Sequence, residues 1–536
     1  MGNAMNRDGD MGFVGLNSRD NPSALPVGIV SQSKNFRLDR GVATVRKGLQ
    51  RKTLSALTTE TVYGSGVVLD STGQELIVVI VTDGLYKYNP QTETISAKVP
   101  FPAGQTITSQ DGVDFIQAID YGFISRGFSK RPLVWDLNVT ITVLPTGSGV
   151  GHLFPDCTGL LYYSNRIIAL GSLHTAPIAR QRDTVSVSNF LDHIQWDNLD
   201  SFTFNNGSND EVVAVAPWTM NEFLVMMRNS IFYVNVGNDK YTTGDALSTN
   251  SFIQTMSTDT GCVAKKSVVQ VNGGVMFLSD NGVYFLKPNE VGAAEGMRLT
   301  TLADPISAPI DDVIQTINKT YSSRSVGIYW GNRYYLAVPI GDSTVNNKIL
   351  VYNFILKQWE SVDEYPAGFN ACNFIVAKKD KQRRLYAIDK EKGIFLMEQL
   401  EWDEYGNSTG TPILPFYLPA TLSASAFTPN PIDASLKTRR YTFNDIKDKR
   451  YSSANSEMLL PAGSQVRTYV ETLNPDTISL VDTYGSPVTE DSTRRNPVRK
   501  IANGIQIRFD TNNLRPSIRA AFVDAVVLGK TNSNKE

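Results

Sequence analysis

The segment "LIVVIVTDGLYKYNPQTET" (residues 76–94) has a form that the chain repeats. An apolar run, Leu76 to Val81, meets Thr82-Asp83-Gly84, and a second run, Leu85 to Tyr88, stops at Asn89-Pro90. Asp-Gly between two strand-like runs predicts a hairpin with a type I′ turn, which needs positive φ at both central residues. "GGVMFLSDNGVYFLKPNE" (273–290), "NEFLVMMRNSIFYVNVGND" (221–239) and "RRLYAIDKEKGIFLMEQ" (383–399) share this form. Longer relatives occupy 113–136 and 326–361, and "LLYYSNRIIALGS" (160–172) is a further candidate. Aromatics such as Tyr86, Tyr88, Phe232, Tyr233, Tyr284 and Tyr352 are dense in these units, as β-structure favours. Helical spacing is rare. The best candidate is "DPISAPIDDVIQTINKTYSS", where Asp311-Asp312 would open a short helix.

Antiparallel units repeated over about 350 residues predict a β-propeller, in which ring closure removes the long exposed edges. A large β-sandwich array is the competing architecture. The reading is therefore all-β: an irregular propeller of about six blades over residues 53–400. An extended, Gly/Asn/Arg-rich N-terminal arm (1–52) precedes it. A Pro-punctuated crossing segment (401–434) and a small C-terminal β-domain (435–536) follow, the latter marked by alternation in "SQVRTYVETL" and "NGIQIRFDT".

The 536 residues carry a net charge of −2, unevenly spread. Residues 1–52 hold nine Lys/Arg against four Asp/Glu, and 435–530 hold fifteen against ten. The middle, 53–434, holds twenty-six against thirty-eight. An acidic centre between two basic ends suggests different partners for each. Three distant cysteines, Cys157, Cys262 and Cys372, form no disulfide framework and read as reduced thiols. No apolar run approaches the roughly 18 residues that span a bilayer, so no membrane anchor is expected. The N-terminus lacks an apolar h-region, so no secretory signal is expected, and Asn6 argues against myristoylation at Gly2.

Catalytic and ligand-binding signatures are weak. His152, His174 and His193 lack zinc-ligand spacing. "GSGVGH" (147–152) has the wrong spacing for a dinucleotide loop, and there is no phosphate loop, GxSxG elbow or HExxH. "SDNGVY" lacks the Thr-Trp of a sialidase box, so Asp280 reads as a turn residue. Asp363-Glu364 and Asp403-Glu404 are adjacent carboxylates of the number that chance supplies. The expectation is a protein that is not an enzyme, with no catalytic residues, cofactor or metal. The basic stretches "RLDRGVATVRKGLQRK" and "RRNPVRK" lack regular aromatic interleaving and read as solvated or protein-binding faces.

The serial order of segments resembles a known family. "GFVGLNSRDNPSALPVGIVSQSKNFRLDRGVATVRKG" is similar to the N-terminal arm of bacteriophage tail proteins, with its Phe-x-Gly, Arg-Asp-x-Pro, Leu-Pro-x-Gly, Arg-Gly and Arg-x-Gly. "YYSNRIIALGS" with "DTVSVSNFLDHIQWDNLDSFTFNNGSNDEVVAVAP", then "TDTGCVAKKSVVQVNGGVMFLSDNGVYFL", then "NRYYLAVP" with "NNKILVYNFILKQW", follow in the family's order over roughly residues 12–400. The family is the tail nozzle of short-tailed phages, also called tail tubular protein B. The resemblance implies a structural virion protein, assembled in the host cytoplasm as a homohexamer at the distal end of the tail. It would dock to the adaptor ring and to tail fibres or spikes, with viral DNA leaving through a central channel without specific binding. On that reading an acidic propeller facing the channel would repel phosphates, and Arg19, Arg37, Arg40, Arg46 and Lys47 would form a subunit or adaptor interface. A propeller enzyme such as a glycan depolymerase, or a monomeric propeller binding module, are the alternatives.

Overall fold

A computed structural model describes residues 6–52, 57, 59–110, 112–127, 130–144, 154–171, 182–196, 200–204, 210–237, 239–287, 305–366, 368–399, 432–473, 476–511 and 515–528. Seven small antiparallel sheets follow one another along the chain. Their innermost strands are Gly64–Leu69, Val113–Ala118, Gly159–Tyr163, Val212–Pro217, Val269–Val271, Val326–Trp330 and Ala371–Lys379. Each innermost strand lies against the next, and Ala371–Lys379 returns to Gly64–Leu69. Asn373 Nδ2 donates to Ser65 Oγ (2.7 Å) and the Lys378 N–H to Glu75 Oε2 (2.8 Å) across that junction. The fold is thus a closed β-propeller with seven blades, one more than the expected six. The segment 273–290, a minimal hairpin by sequence, is a blade of its own, with three strands among the described residues.

A propeller blade is covered on both faces, and this explains the unbroken apolar runs. In Glu75–Val81, Ile77, Val79 and Val81 pack with the seventh blade's Tyr386, Ile388 and Ile394. Val78 and Ile80 face the second blade's Phe115, Ile124 and Trp135. A strand with one wet face would alternate instead. Comparable apolar clusters fill every other junction between neighbouring blades.

The type I′ turns are not where Asp83-Gly84 placed one. Val81 pairs with Gly84, so the two loop residues are Thr82 and Asp83, and neither has positive φ. Positive φ pairs occur instead at the inner hairpins: Ile119-Asp120, Ser164-Asn165, Gly331-Asn332 and Asp380-Lys381. Gly84 serves close packing, since a Cβ there would lie 2.5 Å from the Val99 carbonyl oxygen. Gly84→Ala is therefore expected to cost about 1–3 kcal/mol through overpacking. Asp83→Ala, which removes only an exposed pair with Lys98, is expected to cost about 1 kcal/mol or less. Urea titration of the two variants checks the ordering.

The seventh blade is completed by the N-terminal segment. Gly48–Arg51 pairs with Gly393–Gln399, so the ring closes on strands from both ends of the propeller sequence. Gly15–Leu16 pairs in parallel with Ile29–Val30 and lies against Gln358–Glu364 of the sixth blade, and other strands of residues 6–45 join the C-terminal sheets. Gln32–Lys34 forms one end of a five-stranded sheet with Ala434–Lys437, Ile505–Thr511, Gln465–Leu473 and Asp476–Gly485. Asn6–Asp10, Phe36–Asp39 and Val42–Val45 join Ser517–Val527, Lys449–Leu460 and Glu490–Ala502 in a six-stranded sheet. The two sheets share a core that runs on into the junction of the fifth and sixth blades, where Tyr334, Leu336 and Trp359 meet Phe36, Tyr451 and Phe509. The sequence's best helix candidate is the one α-helix among the described residues, Asp311–Ile314, with both aspartates in its first turn. The proline-punctuated crossing segment lies, apart from 432–434, outside the described residues.

Candidate functional site

Two features stand out: the seam joining the propeller to the C-terminal sheets, and the cavity on the propeller axis. The seam is built from the arm's own arginines. Arg37 is buried and grips Asp363 bidentately, Nη1–Oδ1 3.1 Å and Nη2–Oδ2 2.7 Å. Its Nη2 also reaches Glu398 Oε1 at 2.5 Å. Burial opposes the guanidinium charge, but Asp363 and Glu398 outweigh it and raise the arginine's pKa. Arg46, with no exposed surface, donates to Asn35 Oδ1 (3.0 Å) and the Glu364 carbonyl (3.1 Å) and lies 3.9 Å over the Tyr365 ring. The expectation that Arg37 and Arg46 face another subunit is therefore corrected: both are spent inside the chain. A long basic side chain reads as surface in sequence, but the partners that fix it here, Asp363 and Glu398 for Arg37 and the Glu364 carbonyl for Arg46, lie more than 300 residues away. Arg19 and Arg40 are exposed, and Lys47 is half-buried.

The carboxylates considered for catalysis are also accounted for. Asp363 belongs to the Arg37 pair, Glu364 pairs with Lys34 and Lys348, and Asp280 pairs with Arg228 at 3.4 Å. Asp403-Glu404, His152, His174 and the 147–152 glycines lie outside the described residues. His193 rests against Tyr121 and Phe123, 4.9 and 5.4 Å between ring centroids. Among the described residues no three His, Cys, Asp or Glu converge as a metal site, and no helix is long and apolar enough to cross a membrane.

The axial cavity encloses about 630 Å³ where the innermost strands begin. Gly112, Thr158, Val212, Val263, Arg324 and Ala371 bring successive blades to it. Among the described residues its charged lining is Arg126, Lys130, Arg182, Arg228, Lys265, Lys266, Arg324 and Lys390 against Glu211 alone. Among the described residues no acidic wall forms here, although residues 53–434 are net acidic. Three of the cations are answered: Arg182 by Glu211 (3.0 Å), Arg228 by Asp280, and Lys265 by Asp114 (3.2 Å). Lys266 has its pKa lowered, first by burial and further by the neighbouring charge of Lys265. These cations were missed in sequence because they come from six blades that are far apart in the chain. The signal that finds them is their common position beside blade starts.

The cysteines are free. Burial pushes the Cys262 thiol up to about 12 and the Cys372 thiol to about 11, and raises Cys157 further still. With Cys157 and Cys262 fully buried and thiolate the reactive form, both are expected to resist a thiol reagent at neutral pH until the chain unfolds. Mass spectrometry after labelling, with and without denaturant, checks this.

No family model matches the chain, and no curated protein matches it. Among solved structures, a crystal structure of BBS1N in complex with ARL6DN is similar at 11% identity, covering 66% of this chain and 98% of that one. The TM-score of that likeness is 0.39, so the propeller rests on the seven sheets and their closure.

Proposed function

We propose that this chain is a ring-forming structural subunit of a short phage tail, the nozzle through which the genome leaves. The observation that supports it best is the position of the motif carrying the resemblance. Residues 12–48 stitch propeller and C-terminal sheets into one piece: Phe13, Leu16, Phe36 and Leu38 fill the shared core, and Arg37 and Arg46 clamp the seam. A unit that bears load between an adaptor and a fibre needs such a seam, whereas a free binding arm does not. The conduit would run between copies, since the cavity within one ring is pocket-sized.

In this reading the copies meet partly through open sheet edges. Asp476–Gly485 and Glu490–Ala502, ten and thirteen residues long, end their sheets side by side. Ile478, Leu480 and Ile501 on them are exposed. Long open edges are pairing surfaces that a soluble monomer usually blunts. Light scattering after size exclusion, with negative-stain images of the same peak, tests the reading. Sixfold rings, formed alone or on adding the adaptor, are the expected result. A chain that stays monomeric with adaptor present overturns it, and so does purified protein that clears host polysaccharide.

The exposed arm residues give a narrower test. Arg19→Glu with Arg40→Glu is expected to leave the melting curve unchanged and to weaken adaptor capture at least about tenfold, or about 1.4 kcal/mol. Unchanged capture removes the arm from the adaptor interface.

A further inference from the structure

We propose that the axial cavity is a binding site for a compact polyphosphate-type anion. The proposal is independent of the tail reading. Arg126, Lys130, Lys266, Arg324 and Lys390 line the cavity and form no ion pair among the described residues. The hydrogen-bond acceptors of four of them are neutral. Arg126 donates to Gln105 Oε1 at 2.7 Å, Lys130 to the Thr106 carbonyl at 3.2 Å, and Arg324 to the Thr344 carbonyl at 2.8 Å. Lys266 Nζ is 3.5 Å from the Cys372 carbonyl. Like charges gathered in a partly enclosed space destabilise one another. The chain has the means to neutralise them, since residues 53–434 carry thirty-eight acids. Yet among the described residues only Glu211 reaches the lining, and it is committed to Arg182.

The size and shape of the site select the ligand class. The volume of about 630 Å³ falls within the roughly 300–1,000 Å³ of small-molecule pockets. Duplex nucleic acid is too wide for it. The cations come from the second, fifth, sixth and seventh blades, so they reach the axis from more than half of the ring rather than from one wall. A ligand with dense charge in several directions answers all of them, whereas an extended chain answers a row. Arginine forks and lysine ammonium groups together match phosphate oxygens.

Tripolyphosphate is the probe. Calorimetry of the full chain in about 150 mM salt, where surface attraction is screened beyond roughly 8 Å, is expected to give one site. Its affinity should exceed that of orthophosphate at least about tenfold. Lys130→Gln with Lys390→Gln, two half-buried loop positions, is expected to weaken binding about fivefold or more with an unchanged melting curve. Lys447→Gln with Arg450→Gln, exposed on the C-terminal sheets, is expected to leave it unchanged. Absence of binding at millimolar tripolyphosphate overturns the proposal. So does binding that the cavity variant does not alter, which would place the anion elsewhere. A poly-glutamate peptide that binds more tightly than tripolyphosphate also overturns it and makes the cavity a socket for an acidic segment.

Discussion

Replacing Arg37 with alanine is expected to destabilise the chain by about 3–5 kcal/mol, the range for removing one partner of a buried ion pair. Two carboxylates depend on this guanidinium. Asp363 has no exposed surface and Glu398 is 7% exposed. Without Arg37 they face each other in a site that excludes water. Two buried carboxylates are then left without the cation that compensates them. Urea unfolding of the variant and the parent measures the loss. A second variant, Arg37→Met with Asp363→Leu and Glu398→Leu, removes the charges together and is expected to recover much of the loss. If Arg37→Ala unfolds within about 1 kcal/mol of the parent, the pair is not what holds the seam.

The seam also marks where sequence reading stopped. Each blade announces itself locally, because its strands are adjacent in the chain and its apolar runs are continuous. The seven hairpin-like segments quoted at the outset, from 76–94 to 383–399, fall one to a blade. The closing strand Gly48–Arg51 does not announce itself, since its partner Gly393–Gln399 is some 340 residues away. The arm reads as solvated because its polar residues are counted without their partners. Asp10 is an example: buried, it accepts from Arg439 Nε (3.0 Å) and Tyr441 Oη (2.9 Å) across 429 and 431 residues. Asp83-Gly84 misled for a different reason. The dipeptide fits an I′ turn, but the glycine was required by the Val99 carbonyl above it, a contact that turn statistics do not contain. The axial cations were hidden by averaging, because a net-acidic segment gathers eight of its twenty-six basic residues around one cavity.

Deleting residues 1–52 is expected to abolish folding rather than assembly. The deletion removes Gln32–Lys34 from one C-terminal sheet, Asn6–Asp10, Phe36–Asp39 and Val42–Val45 from the other, and Gly48–Arg51 from the seventh blade. It also takes Phe13, Leu16, Val30, Phe36, Leu38 and Val45 out of the shared core. At about 1.5–3 kcal/mol for each buried side chain, the loss is roughly 9–18 kcal/mol. That equals or exceeds the whole net stability of an ordinary domain, about 5–15 kcal/mol. Asp363 and Glu398 are orphaned as well, and Arg439 and Tyr441 lose Asp10. The truncated chain should be insoluble, or soluble without a cooperative melt, and a peptide of residues 1–52 supplied in trans should restore the melt. A truncated chain that melts cooperatively near the parent temperature would mean the N-terminal strands are dispensable additions. Loss of rings after truncation therefore says nothing about a docking arm, because the subunit itself is gone. Only substitutions that keep the fold, such as the Arg19 and Arg40 charge reversals, separate the arm's part in the subunit from its part in the ring.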